Sequence, residues 1–179
     1  VTAAVALFAA DEVDRPRESL SQVQLSEGER AALKAALSSE LGPPDSKFSA
    51  EEQAVDFQIK LIDLNGDHIP EAIVQITGRF ECGASGNCPF LVFRKSGNTY
   101  ESILAMARYN AYQGFTVTKQ RTAGYLDLIL NQHESAFQQA LVIYKFRNGK
   151  YRASAYYEAT WNNVGKAPTS KEPVISKCL

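Results

Sequence analysis

From Val55 onward apolar residues fall at every second position: Val55, Phe57, Ile59 and Leu61 alternate with Asp56, Gln58 and Lys60. That period of two is the signature of a strand with one buried face. Similar stretches follow at 71–77, 90–95, 100–106, 115–119, 125–130, 140–146 and 151–160, so the pattern predicts about seven or eight strands. Turn residues separate them, among them Ser96-Gly97-Asn98 and Arg147-Asn148-Gly149. The second of these is a strong hairpin signal, because Asn-Gly accepts the positive φ of a tight turn. Short connections make consecutive strands antiparallel neighbours, which predicts a β-meander.

One earlier segment has helical spacing instead. Ser26 stands three residues before Glu29, the spacing of a capping box, and Ala31, Ala32, Leu33, Ala36 and Leu37 follow on one face. Gly42-Pro43-Pro44 cannot continue a helix, so it should stop near Leu41. Ser49 and Glu52 repeat the capping spacing just before the first strand. The expected fold is therefore α+β: a mainly antiparallel β-meander with an N-terminal helix packed on the sheet. The length of 179 residues suits one domain, read as 21–162, with a signal-like or extended segment at 1–20 and an extended tail at 163–179.

Composition narrows the class without naming a function. The chain is 45% hydrophobic and 22% charged, which is globular. Nineteen basic against twenty acidic residues leave a net charge of −1, so no general field for nucleic acid is expected. Residues 1–10 are apolar and small, yet a membrane-spanning helix needs about 20 such residues. They look like the end of a signal-peptide apolar region, with Ala4-Val5-Ala6 as a cleavage-type signal, or else like an apolar helix that docks on the domain.

The cysteines favour export. Cys82 and Cys88 enclose Gly83-Ala84-Ser85-Gly86-Asn87, a loop flexible enough to bring two sulfurs together. Zinc is the weaker reading, since a tetrahedral site asks for four ligands and the only histidines are His68 and His133. A disulfide here belongs to a periplasmic or extracellular protein and would leave Cys178 as a free thiol.

One segment carries candidate chemistry. Asp63, Asn65, Asp67 and Glu71 recur at relative positions 1, 3, 5 and 9, with the Ile69 carbonyl between the last two. This arrangement can turn several hard oxygens toward one cation such as calcium. His68 stands where calcium loops generally place glycine, and position 12 is Val74, so the loop is not an EF-hand. The same residues can equally build a metal-free turn, their side chains capping backbone amides.

The run Leu61-Ile62-Asp63-Leu64-Asn65-Gly66-Asp67-His68-Ile69-Pro70-Glu71 resembles the Asp-x-Asn-x-Asp-Gly-x-x-Glu/Asp loop of FG-GAP and integrin-like repeats. With Cys82-Gly83-x-x-Gly86-x-Cys88 and Gly124-Tyr125-x-Asp127-Leu128-Ile129, it is similar to small exported bacterial proteins of uncharacterised function that carry the loop once. In FG-GAP repeats the loop binds calcium between two strands, so the resemblance implies that role for Asp63, Asn65, Asp67 and Glu71. A single copy in a chain of this length does not make a propeller.

No catalytic constellation stands out. The sequence around Ser85 is not a Gly-x-Ser-x-Gly elbow, and pairing Cys88 with His133 is a drawing that any Cys and His allow. Two carboxylates could hydrolyse a glycoside, but twenty acidic residues single out no pair. Tyr156 and Trp161 on the last strand, and Phe80, Ser85 and Asn87 around the cysteine loop, are candidate contact surfaces for a protein or a cell-wall component. Ser96-Gly97-Asn98-Thr99-Tyr100 is similar to the Ser-Gly-x-x-Tyr motif of periplasmic lysozyme inhibitors. The expectation is an exported, non-enzymatic binding or accessory module stabilised by calcium. A cell-wall hydrolase inhibitor and an unrecognised hydrolase are the alternatives.

Overall fold

A computed structural model describes residues 23–41, 57–76, 82, 84, 86–104, 115–161, 163–164, 167–168 and 173–178. Its elements run in the order α1 (Glu27–Leu41), β1 (Phe57–Ile62), β2 (Glu71–Ile76), β3 (Phe90–Ser96), β4 (Thr99–Leu104), β5 (Phe115–Thr122), β6 (Tyr125–Ser135), β7 (Gln138–Arg147) and β8 (Lys150–Thr160). Then come the two-residue strands β9 (Asn163–Val164) and β10 (Ala167–Pro168), and finally β11 (Val174–Lys177). Among the described residues the chain is mainly antiparallel β with one helix, as the sequence pattern predicts.

The strands do not form one meander. They divide into a four-stranded sheet in the order β1-β2-β3-β4 and a five-stranded sheet in the order β11-β8-β7-β6-β5, with β9 and β10 pairing separately. Alternation locates strands and their buried faces, but it carries no information on whether β4 hydrogen-bonds to β5. The number of strands is also greater than predicted. β11 lies in what reads as an unpaired tail, and only Ile175 of its four residues is part-buried, so backbone pairing to β8 defines it rather than hydropathy. The strands and helix group into two compact units, one with α1 and β1–β4, the other with β5–β11 and Ala84–Asn87.

In the first unit α1 covers one face of the four-stranded sheet. Its start is a full capping box: Ser26 N–H donates to Glu29 Oε2 at 2.9 Å and Glu29 N–H to Ser26 Oγ at 3.3 Å. Lys95 on β3 donates to Glu29 Oε1, tying the first turn of the helix to the sheet. Leu33 and Leu37, one turn apart, are buried against Ile59, Ala72, Val74, Ile76, Leu91 and Phe93, with Ala36 and Leu41 beside them. Ala31, expected on this face, is exposed, because the buried stripe follows positions 33, 37 and 41. The Ser49 and Glu52 capping spacing lies outside the described residues.

In the second unit β6, β7 and β8 form the long central strands. Their register shifts at bulges between His133 and Ser135 and between Ile143 and Tyr144. One side of the sheet gathers Ile129, Leu141 and Ala159, with Ile143, Tyr157, Trp161 and Ile175 packed on them. Near the β7–β8 turn Tyr125 stacks on Phe146 at 3.8 Å and meets Tyr151 edge-on. The turn itself has Asn148 at φ 51° and Gly149 at φ 80°, the positive pair that an Asn-Gly hairpin requires.

Candidate functional site: the loop between β1 and β2

The loop at 63–71 joins two antiparallel strands whose register closes at Ile62 opposite Glu71. Its polar side chains fold inward on its own backbone. Asp63 Oδ1 accepts from Gly66 N–H at 2.6 Å and Oδ2 from His68 N–H at 2.9 Å. Asn65 Oδ1 accepts from Asp67 N–H at 2.8 Å, and Asp67 Oδ1 from Ile69 N–H at 2.8 Å. Each short side chain thus caps an amide ahead of it, which lets a loop this short turn without orphaned donors.

Two backbone positions make the turn possible. Gly66 has φ 86°, and His68 has φ 68°. The latter is the sixth position of the loop, the sharp turn that calcium loops usually give to glycine. A histidine there holds a left-handed conformation at a cost of about 1–2 kcal/mol. Its ring stays in solvent, with Nδ1 4.0 Å from Asp63 Oδ2.

Glu71, the first residue of β2, is the unusual member. It is only 1% exposed, beneath the loop beside Leu64, which is fully buried. Glu71 Oε2 accepts from Leu64 N–H at 2.8 Å, and Oε1 accepts from Asn65 Nδ2 at 3.3 Å. Burial pushes its carboxyl up to about 6, and the charges of Asp67 and Asp63 add to the rise, while the Leu64 N–H opposes it. Asp63 behaves differently: burial pulls it upward, yet amide donors from Gly66, His68 and Asn65 hold its carboxyl below the ordinary value.

The structure therefore brings Asp63, Asn65, Asp67 and Glu71 together with the Ile69 peptide in one turn. Asn65 Nδ2 occupies the space between carboxylates, donating to Asp67 Oδ2 at 2.9 Å as well as to Glu71. Among the described residues no three His, Cys, Asp or Glu side chains converge as a metal-holding group. The donor set is nonetheless entirely oxygen, the kind a hard cation takes.

Elsewhere the candidate residues separate. Cys82 and Cys88 form a disulfide with their Cα atoms 4.2 Å apart, so Cys88 is no thiol nucleophile for His133. Cys178 is a free, exposed thiol. Asn87 is bound through both ends of its amide to the His133 backbone: His133 N–H donates to Asn87 Oδ1 at 2.7 Å, and Asn87 Nδ2 donates to the carbonyl at 2.9 Å. Phe80 and Ser85 lie outside the described residues. Tyr156 is 42% exposed, whereas Trp161 is half-buried in the apolar cluster of the second sheet. The burial of Glu71 is the feature that sequence reasoning missed. Its only trace is position: a carboxylate opening a strand whose next residues are Ala72-Ile73-Val74.

No protein-family model, curated protein or solved structure matches this chain.

Proposed function

We propose that this chain is a non-catalytic binding or accessory module of an exported protein, and that its 63–71 loop takes up calcium. The observation that carries the calcium reading is Glu71, a carboxylate buried to 1% exposure at the base of a loop that also holds Asp63 and Asp67. The three carboxylates share one short loop and bind its backbone amides without converging on a single point, and a divalent ion that drew them together would balance their charge. The left-handed backbone at His68 supports the same reading. Asp63, Asn65, Asp67, Glu71 and the Ile69 carbonyl are the ligands assigned. Calcium supplies the local positive charge that Asn65 Nδ2 otherwise supplies only as a dipole. Export is supported by the Cys82–Cys88 disulfide, which persists in oxidising compartments. No helix among the described residues is long and apolar enough to cross a membrane.

Calorimetric titration tests the loop. Calcium added to the metal-stripped protein should give saturable heat, and the double substitution Asp63→Ala, Asp67→Ala should abolish it. A flat titration of a folded wild-type protein sinks the calcium reading and leaves 63–71 as a capped turn.

A further inference from the structure

The β7–β8 hairpin arranges its charges in a way that folding does not favour. Its register sets Arg147 opposite Lys150 and Lys145 opposite Arg152, with Phe146 opposite Tyr151 between them. Directly opposed like charges destabilise a sheet. The β3–β4 hairpin, with a turn of the same length, shows the alternative: its third pair from the turn is Arg94 opposite Glu101, joined at 2.7 Å. Side chains two residues apart on a strand share a face, so all four cations of the β7–β8 hairpin project from one side.

Lys119 and Arg121 of β5 come to the same end of the sheet, since in an antiparallel meander the β5–β6 and β7–β8 turns leave on the same side. Among the described acidic residues of this unit, Asp127 is buried and answers Lys145 at 3.4 Å. Glu134 and Glu158 stand toward the opposite end, beside the β6–β7 turn. The net charge of −1 thus conceals a sheet whose described cations gather at one end, while Lys177 of β11 accompanies the two glutamates toward the other.

We infer that this basic end is a docking surface for a membrane rich in anionic phospholipid. Three strands, β5, β7 and β8, contribute the cations, which spreads them across the end of the sheet rather than along a groove. The aromatic rings at this end, Tyr125, Phe146 and Tyr151, are buried against one another, with centroids 3.8 to 6.1 Å apart. They therefore offer no platform on which nucleic-acid bases could stack. The charge separation along the sheet orients the unit with its basic hairpin toward a negative surface. Attachment of this kind is electrostatic and weakens with salt.

The test is co-sedimentation of the full chain, in EDTA, with vesicles of phosphatidylcholine alone and with vesicles containing phosphatidylglycerol. Binding should appear only on the anionic vesicles, fall as salt is raised, and drop about fivefold for each cation neutralised in Arg147→Gln and Lys150→Gln. Arg152→Glu restores the kind of pair seen at Arg94 and Glu101. It should weaken vesicle binding while leaving the melting temperature equal or higher, which separates lost docking from lost folding. Equal sedimentation with neutral and anionic vesicles, or undiminished binding by the folded variants, overturns the inference. Tight binding to single-stranded DNA without binding to anionic vesicles overturns it as well.

Discussion

At the scale of single residues, the loop is a balance between strain and capping. His68 holds φ 68° because Asp63 accepts its N–H and Asp67 accepts the next one. Glycine at this position removes the steric cost of the left-handed region, although it also enlarges the unfolded ensemble. His68→Gly should therefore raise stability by about 1 kcal/mol, read as a higher urea midpoint with an unchanged slope. The sequence displays the spacing of Asp63, Asn65, Asp67 and Glu71 in full, and it marks His68 as the departure from glycine. It does not display that Glu71 is buried, because a glutamate at the head of a strand looks the same whether its carboxyl faces water or a neighbouring loop.

Elements are where the chain is most readable. The Ser26 and Glu29 spacing defines the start of α1, and the two residues form the reciprocal bonds that the spacing anticipates. Lys95, sixty-six positions further along, is invisible to that local reading, yet its hydrogen bond is the largest reason that the Glu29 carboxyl lies at about 2. Since this value is below the usual 4.5, the contribution of Glu29 to stability is complete above pH 4.5 and is lost as pH falls toward 2. Glu29→Gln should accordingly flatten the acid-unfolding curve of the first unit in that window, as followed by circular dichroism. An unchanged curve would show that the helix tether is energetically silent. Packing contributes more than this tether: Leu37 is 2% exposed between helix and sheet, and Leu37→Ala should cost about 2–5 kcal/mol in denaturant unfolding. β11 marks the limit of such reading, since an edge strand paired through its backbone needs no hydrophobic pattern.

For the molecule as a whole, the alternation of side chains gives the fold class but not the partition of strands. One meander and two sheets have the same period of two, and the choice turns on whether the consecutive strands β4 and β5 hydrogen-bond to each other, which they do not. Function is even less a matter of composition: a near-neutral chain holds a buried acid in one unit and a basic hairpin in the other. Thermal unfolding of the wild type and of Glu71→Gln, each in EDTA and in excess calcium, tests the calcium loop most directly. In EDTA the glutamine removes a buried charge whose carboxyl sits at about 6 rather than 4.5. The variant should then be more stable at neutral pH, by up to about 2 kcal/mol. In calcium the order should reverse, because only the wild type gains stability by binding the ion. A wild-type melting temperature that is the same in both solutions, with the variant more stable in each, would contradict the assignment.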